Sequence, residues 1–327
     1  MKIAITAPTG HIGSKLVELL QEQGRHQLVL LCRDPSKVEK AVANGARVAQ
    51  GDLRDPMYVV DATRGVDVLF WLTPPNNAVA DMMVYHHKLA ENAARAIRQN
   101  KLKRVVNLSA IGANIPRGVG PIAGLHEVED TLTEACEDAD CAITHLRAAF
   151  FQENFEVFAP EISKSGTIAL PVSGGAKSSM VATADIAKAA ARLLTDTTWR
   201  GVNIKELVGP REYTFSEAAG IIGEAIGKDV HHMEVSPEQA RTELKEHGAS
   251  QDMAESYVEM YQAFDKGIVK PSATRGDVIK ADTELEEFAR DTLAREVADE
   301  TPTAKTVRAA VADLKAGKKP PKGERHG

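Results

Sequence analysis

Apolar positions fall into two alternating patterns along the first half of the chain. Short, nearly continuous apolar runs occupy residues 2–6 (KIAIT), 27–32 (QLVLLC), 46–49 (ARVA), 66–72 (VDVLFWL), 103–108 (KRVVNL) and 141–147 (CAITHLR). Their length and lack of alternation predict strands covered on both faces. Between them apolar residues recur at three- and four-residue spacing, as in Ile12, Leu16, Leu19 and Leu20, or Leu89, Ala93, Ala96 and Ile97, which predicts helices. Parallel strands need a long crossover, so this alternation implies an α/β fold built on a doubly wound parallel sheet. Ligands on such sheets gather beyond the carboxyl ends of the strands, and Thr6, Arg33, Asp52, Thr73, Ser109 and Arg147 are expected to ring one crevice.

After residue 150 the strict alternation breaks. GTIALPV, the helix-like TADIAKAAARLLTD, a short NIKELV and the helix-like TFSEAAGIIGEAIG predict a smaller α+β lobe over residues 151–300, interleaved with the domain of residues 1–150. Met253, Tyr257, Met260, Tyr261 and Phe264 recur mostly at helical spacing and are read as a core or lobe-packing face rather than a pocket wall. Residues 301–327 are expected to form a C-terminal helix and a basic, disordered tail, since AGKKPPKGERHG carries almost nothing apolar.

Composition narrows the partners. With 43% hydrophobic and 26% charged residues among 327, the chain reads as an ordinary globular protein. A net charge of -6 argues against a general nucleic-acid binder, which needs a basic face to displace counterions, and leaves a small molecule as the expected ligand. Cys32, Cys136 and Cys141 are odd in number and have no metal-ligand spacing, and no run approaches the ~20 apolar residues that span a bilayer. A cytoplasmic monomer or homodimer without a metal site is expected.

The turn from the first strand into the first helix reads Thr6-Ala7-Pro8-Thr9-Gly10-His11-Ile12-Gly13. A pyrophosphate needs backbone amides at a helix N-terminus and a chain that can approach closely, which small residues and glycines permit there. Gly10 and Gly13 fill the second and third positions of that pattern. Ala7 stands at the first, where a negative φ would keep the turn tight. At the end of the second strand an NAD site usually places a carboxylate, whereas this chain has Arg33, with Lys37 in the next turn. Guanidinium and ammonium groups favour a 2′-phosphate, so NADP(H) is the expected cofactor and NAD(H) the other candidate. Asp52 and Leu53 are placed to meet an adenine edge, with a structural Asx turn the alternative for Asp52. Thr73 and Pro74 begin a rigid loop on the nicotinamide side.

With TAPTGHIG, CRDPSKV, GDLRDP, LHEVEDTL and THLRAAFFQENF in place, the chain resembles the NmrA-like family of atypical short-chain dehydrogenases/reductases over about residues 1–295. MVATADIAKAAARLLTD and YTFSEAAGIIGEAIGK add to the likeness. The resemblance implies a Rossmann fold, with Thr6, Thr9, Gly10, His11 and Ile12 at the pyrophosphate, Arg33 and Lys37 at the 2′-phosphate, Asp52 and Leu53 at adenine, and Thr73 and Pro74 near the nicotinamide ribose. It also implies either NADPH-dependent reduction of quinones, dyes or aromatic ethers, or binding of the dinucleotide as a sensor that acts through a protein partner.

Reductases of that superfamily usually protonate their product with a Tyr-x-x-x-Lys pair, yet none of the five tyrosines has a lysine four residues on. Ser109 and the helix start at Leu125-His126-Glu127-Val128-Glu129 occupy the corresponding region. His126 and Glu129 share a helical face, so Glu129 is a candidate to orient the imidazole as a proton donor. Ser109 is a candidate to hydrogen-bond a substrate oxygen or the nicotinamide ribose, with capping of local backbone the alternative. A conjugated acceptor needs little protein acid, and the reading is a reductase transferring hydride from NADPH to a quinone- or dye-like substrate.

Overall fold

The computed structural model describes residues 1–272 and 277–300. The first half runs β1 (Lys2–Thr6), α1 (His11–Glu22), β2 (Gln27–Cys32), α2 (Glu39–Ala43), β3 (Arg47–Gln50), α3 (Pro56–Ala62), β4 (Val68–Leu72), α4 (Met82–Asn100), β5 (Arg104–Ala110), α5 (Pro121–Asp138) and β6 (Ala142–Ala148). The second half adds β7 (Phe150–Phe151), α6 (Ala159–Ser165), β8 (Thr167–Leu170), β9 (Lys177–Val181), α7 (Thr183–Thr195), β10 (Val202–Val208), β11 (Glu212–Thr214), α8 (Phe215–Ile226), β12 (His231–Glu234), α9 (Pro237–Glu246) and α10 (Gln251–Asp265). β13 (Val278–Lys280), α11 (Leu285–Phe288) and α12 (Ala294–Asp299) follow. The expected helix and tail at 301–327 lie outside the described residues.

Eight strands form one sheet in the order β13-β10-β6-β5-β4-β1-β2-β3, and every pair in it is parallel. Successive residues of β1 point to opposite faces, and both faces are covered. Ile3 and Ile5 join Leu16 and Leu20 of α1 in one core, while Ala4 joins Leu69, Trp71, Leu89, Ala93 and Leu132 beneath α4 and α5 in the other. This two-sided burial explains why the six strands read as continuous apolar runs. The order reverses at β1, where β2 lies on one side and β4 on the other, and that is the place where a doubly wound sheet opens a crevice.

NIKELV does not stay in the smaller lobe. As β10 it pairs with β6, Asn203 opposite Thr144, and β13 extends the same sheet. Its outer half is partly exposed and carries Lys205, which pairs with Asp277, so it lacks the apolar run that marked the other strands. The sheet therefore crosses the division expected at residue 150. The remaining strands form two small sheets, β11-β9-β7 and β12-β8. Around them, helices start on side-chain caps: Thr214 and Glu217 close a reciprocal cap on α8, and Ser236 with Gln239 does the same on α9.

Candidate functional site

One large cleft, about 1180 Å³, opens beyond the carboxyl ends of the sheet. Arg33, Asp52, Thr73 and Ser109 line it as expected from strand ends, but Thr6 and Arg147 do not. Thr6 is fully buried, and its hydroxyl lies 3.1 Å from the Leu72 carbonyl oxygen and accepts from the Leu72 amide at 2.7 Å, so it stitches β1 to β4 and has nothing left for a phosphate.

The turn itself is built for close approach. A Cβ on Gly13 would collide with the Ala7 carbonyl oxygen, so only glycine lets α1 begin against β1. Ala7 has φ +49°, in the left-handed region and not at the negative value expected. That conformation costs an L-residue about 1–2 kcal/mol. The strained carbonyl accepts from the Gly10 amide at 3.2 Å. Helix α1 has no side-chain cap, and the backbone amides of His11, Ile12 and Gly13 find no acceptor among the described residues. Pro8, Thr9, Gly10, His11, Ile12 and Gly13 all border the cleft. Three unsatisfied donors at the positive end of a helix are the arrangement that receives a pyrophosphate.

At the adjoining end, Arg33 borders the cleft but Lys37 does not. Lys37 lies across Pro8 on a smaller groove, beside Lys40 and Glu18. Arg54 also borders the cleft; sequence reasoning missed it although it stands two residues past the strand-end Asp52. Asp52 accepts from the Arg54 amide at 2.9 Å and from its guanidinium at 2.6 Å, an Asx turn closed by a charged fork. The Arg54 hydrogen bonds hold the Asp52 carboxyl down at about 2. Leu53 is fixed through its carbonyl by Asn92 of α4 at 2.8 Å. Thr73 accepts from the Trp71 indole at 3.0 Å, and the Pro74 carbonyl accepts from Tyr85 at 3.0 Å, so α4 and β4 clamp the loop that follows.

The candidate acid pair is not assembled. His126 turns Nδ1 to the Ala113 carbonyl at 2.8 Å and Nε2 toward Asp130 at 3.4 Å, and it lies outside the cleft lining. Glu129 points inward to Arg147, which forks it at 2.9 and 2.5 Å, both groups being almost fully buried. Burial is the largest single influence on the Glu129 carboxyl and pushes it up, but the Arg147 hydrogen bonds and the nearby His145 and Arg147 charges together outweigh it and leave the pKa below the usual glutamate range. The requirement to neutralise a buried guanidinium, invisible in helical spacing, took this carboxylate from His126. Ser109, beside Arg147 in register, stays on the cleft floor, 2% exposed. The first turns of α5 present Pro121, Ile122 and Leu125 to the cleft, none of them ionisable.

The far end of the cleft is roofed by α10. Met253, Tyr257, Met260 and Phe264 line it, and the same face packs on the core as read, with Phe264 buried in it, Met260 against it, and Tyr261 against Phe215 and Phe264. Carboxylates pin this roof to helix starts: Asp252 accepts from the Met82 amide of α4 at 2.8 Å, and Glu259 from the Gly120 amide before α5 at 3.0 Å. Gly120 has φ +56°, and a Cβ there would strike the Ser256 carbonyl oxygen of α10. Opposite the roof, Phe150 borders the cleft and meets Phe155, Phe215 and Phe264 at ring distances of 5.6 to 6.0 Å, so it serves both the inter-lobe core and the cavity wall. Glu153 in the following turn caps α7 by accepting from the Thr183 amide at 2.9 Å.

Sheet order, glycine turn and open helix start together define a Rossmann-type protein. The NmrA-like family model matches residues 1–289, and the chain belongs to that family. An NAD(P)H azoreductase of Xenophilus azovorans is 29% identical over 261 residues, covering 79% of this chain and 86% of that protein. Quinone oxidoreductase 2 of Escherichia coli (strain K12) is 26% identical over 266 residues, 81% and 88% of the two chains. Among solved structures, the Citrobacter sp. triphenylmethane reductase complexed with NADP(H) superposes with a TM-score of 0.73 at 24% identity, covering 91% of this chain and all (100%) of that one.

Proposed function

We propose that this protein is an NADPH-dependent reductase that passes hydride to a flat, conjugated acceptor of the quinone or dye class. The observation that carries the reading is one continuous cleft with two chemically different ends. Unsatisfied amides and arginines line one end, and Met253, Tyr257, Met260, Phe264 and Phe150 line the other. The fit to the cofactor rests on the open amides of α1 and on the collision that any side chain at position 13 would cause. The His11, Ile12 and Gly13 amides would hold the pyrophosphate, and Arg33 with Arg54 would face the 2′-phosphate. NADPH bound in this way supplies a hydride from its nicotinamide ring. Ser109 borders the cleft with its hydroxyl oxygen buried, and would have to turn that group outward to hydrogen-bond the nicotinamide ribose or a substrate oxygen. The aromatic and thioether walls exclude water and stack a planar substrate. With no ionisable side chain offered by α5, the site suits acceptors whose reduced form can take its proton from water. The azoreductase and quinone oxidoreductase relatives support the same substrate class.

The test is oxidation of NADPH by purified protein with a panel of quinones and azo or triarylmethane dyes, beside simple aldehydes and ketones. Turnover is expected with the conjugated acceptors and not with the simple carbonyls. Tight NADPH binding without oxidation by any of them would overturn the reductase reading.

A further inference from the structure

His86 belongs to none of the groups assigned above. It lies in the second turn of α4, is 6% exposed, and lines the cleft among Met82, Ile122, Leu125 and Met253. Its Nδ1 lies 2.9 Å from the Met82 carbonyl oxygen. A carbonyl oxygen only accepts, so Nδ1 carries the hydrogen and Nε2 of the neutral ring carries a lone pair. Nε2 makes no hydrogen bond among the described residues and, unlike the unpaired polar atoms of the interior, is not fully buried. Burial lowers the imidazole pKa, which favours that neutral form.

The space for this ring is made by the facing helix. A Cβ on Gly124 of α5 would come within 2.7 Å of both His86 Nδ1 and Met82 Sδ, so the glycine opens the seat in which the imidazole lies. The Tyr85 ring stands edge-on to it at 5.8 Å. An acceptor with fixed tautomer in an apolar wall is idle unless the occupant of the cleft brings a donor.

We infer that His86 Nε2 is a hydrogen-bond acceptor for the substrate, so that the cleft selects conjugated rings bearing an O–H or N–H, such as hydroxylated quinones, anilino dyes or the hydroquinone product. The inference rests on the proposed reductase reading for the identity of the occupant, and its geometry is independent of the reaction. A site that hydrogen-bonds a ligand donor discriminates against the analogue without one, because the buried partner is then left unpaired. His86 acts by orienting the ring, with no proton transferred.

Equilibrium titration of the NADP⁺-loaded protein with a naphthol and with its methyl ether tests this without turnover. The naphthol is expected to bind about tenfold more tightly than the ether. His86→Leu should bring the two affinities together while leaving NADP⁺ affinity unchanged, and His86→Gln, which keeps an acceptor, should restore part of the preference. Gly124→Ala, which pushes on the ring, should narrow the preference as well. Equal binding of both probes by the unmodified protein overturns the inference, as does an undiminished preference in a folded His86→Leu variant. If His86→Leu does not fold, the unmodified protein and His86→Gln decide the outcome. A protein that keeps the naphthol preference yet oxidises no NADPH with any acceptor retires the reductase reading alone.

Discussion

The two ends of the cleft solve different problems with different parts of the chain. The heart of the dinucleotide end is made by consecutive residues: a strand, a turn that only glycine can close at position 13, and a helix start whose amides stay open, with Arg33 and Arg54 added from later strand ends. The substrate end is assembled from α4, α5, the β6–β7 junction and α10, which are far apart in sequence; α4 and α5 share one buried core, and carboxylates of α10 seat on the helix starts at Met82 and Gly120. On the proposed reading, a cofactor shared by many reactions is met by local backbone geometry, whereas the substrate meets side chains brought together by tertiary packing. The difference teaches that the two ends can be damaged separately.

The largest effect belongs to the buried ion pair behind the cleft. Glu129→Ala leaves Arg147 buried without a counter-charge and should cost about 3–5 kcal/mol in denaturant unfolding. Because the folded carboxyl is held below its unfolded value, the stabilisation is present at neutral pH and is lost as pH falls from about 4.3 through the depressed folded pKa. A loss under ~1 kcal/mol, the range of an exposed pair, would contradict the buried fork.

Gly120→Ala strikes the roof. The new methyl meets the Ser256 carbonyl, and the strain should cost about 2 kcal/mol. Apparent KM for the acceptor should rise while NADPH affinity holds, and an equal loss of cofactor affinity would break the separation between the two ends. Arg33→Ala acts at the opposite end, where NADPH affinity should fall about tenfold and NADH affinity change little. Equal weakening of both nucleotides would remove Arg33 from the 2′-phosphate. The smallest effect is a gain: Ala7→Gly relieves the left-handed strain and should raise stability by about 1 kcal/mol in thermal or denaturant unfolding. An unchanged midpoint would show that the turn carries no such strain.

Much of this was legible in the chain, and the parts that were not share a physical cause. Strands buried on both faces announce themselves by composition, so β1 to β6 were found within two residues of their ends. The place of β10 in the main sheet escaped because its first half, with Val202 and Ile204 exposed, lacks that run. The glycine turn was readable because its requirement is local, and even there the sign of the Ala7 φ was not. Thr6 and the His126–Glu129 pair depart from expectation for one reason: position along an element says where a residue sits, while its partner decides where its side chain points. Thr6 is claimed by β4 and Glu129 by Arg147. His86 and Arg54 went unnoticed because nothing in their own segments sets them apart, and it is the packing of α4 on α5 and the Asp52 turn that bring them to the cleft.

The central claim is hydride transfer across the junction of the two ends. Its most direct test is a single turnover of protein-bound NADPH mixed with excess quinone, compared with NADPH carrying deuterium at the transferring position. The account predicts oxidation of the bound nucleotide far faster than in free solution, and slowed several-fold by the deuterium. Oxidation no faster than that of free NADPH would contradict it.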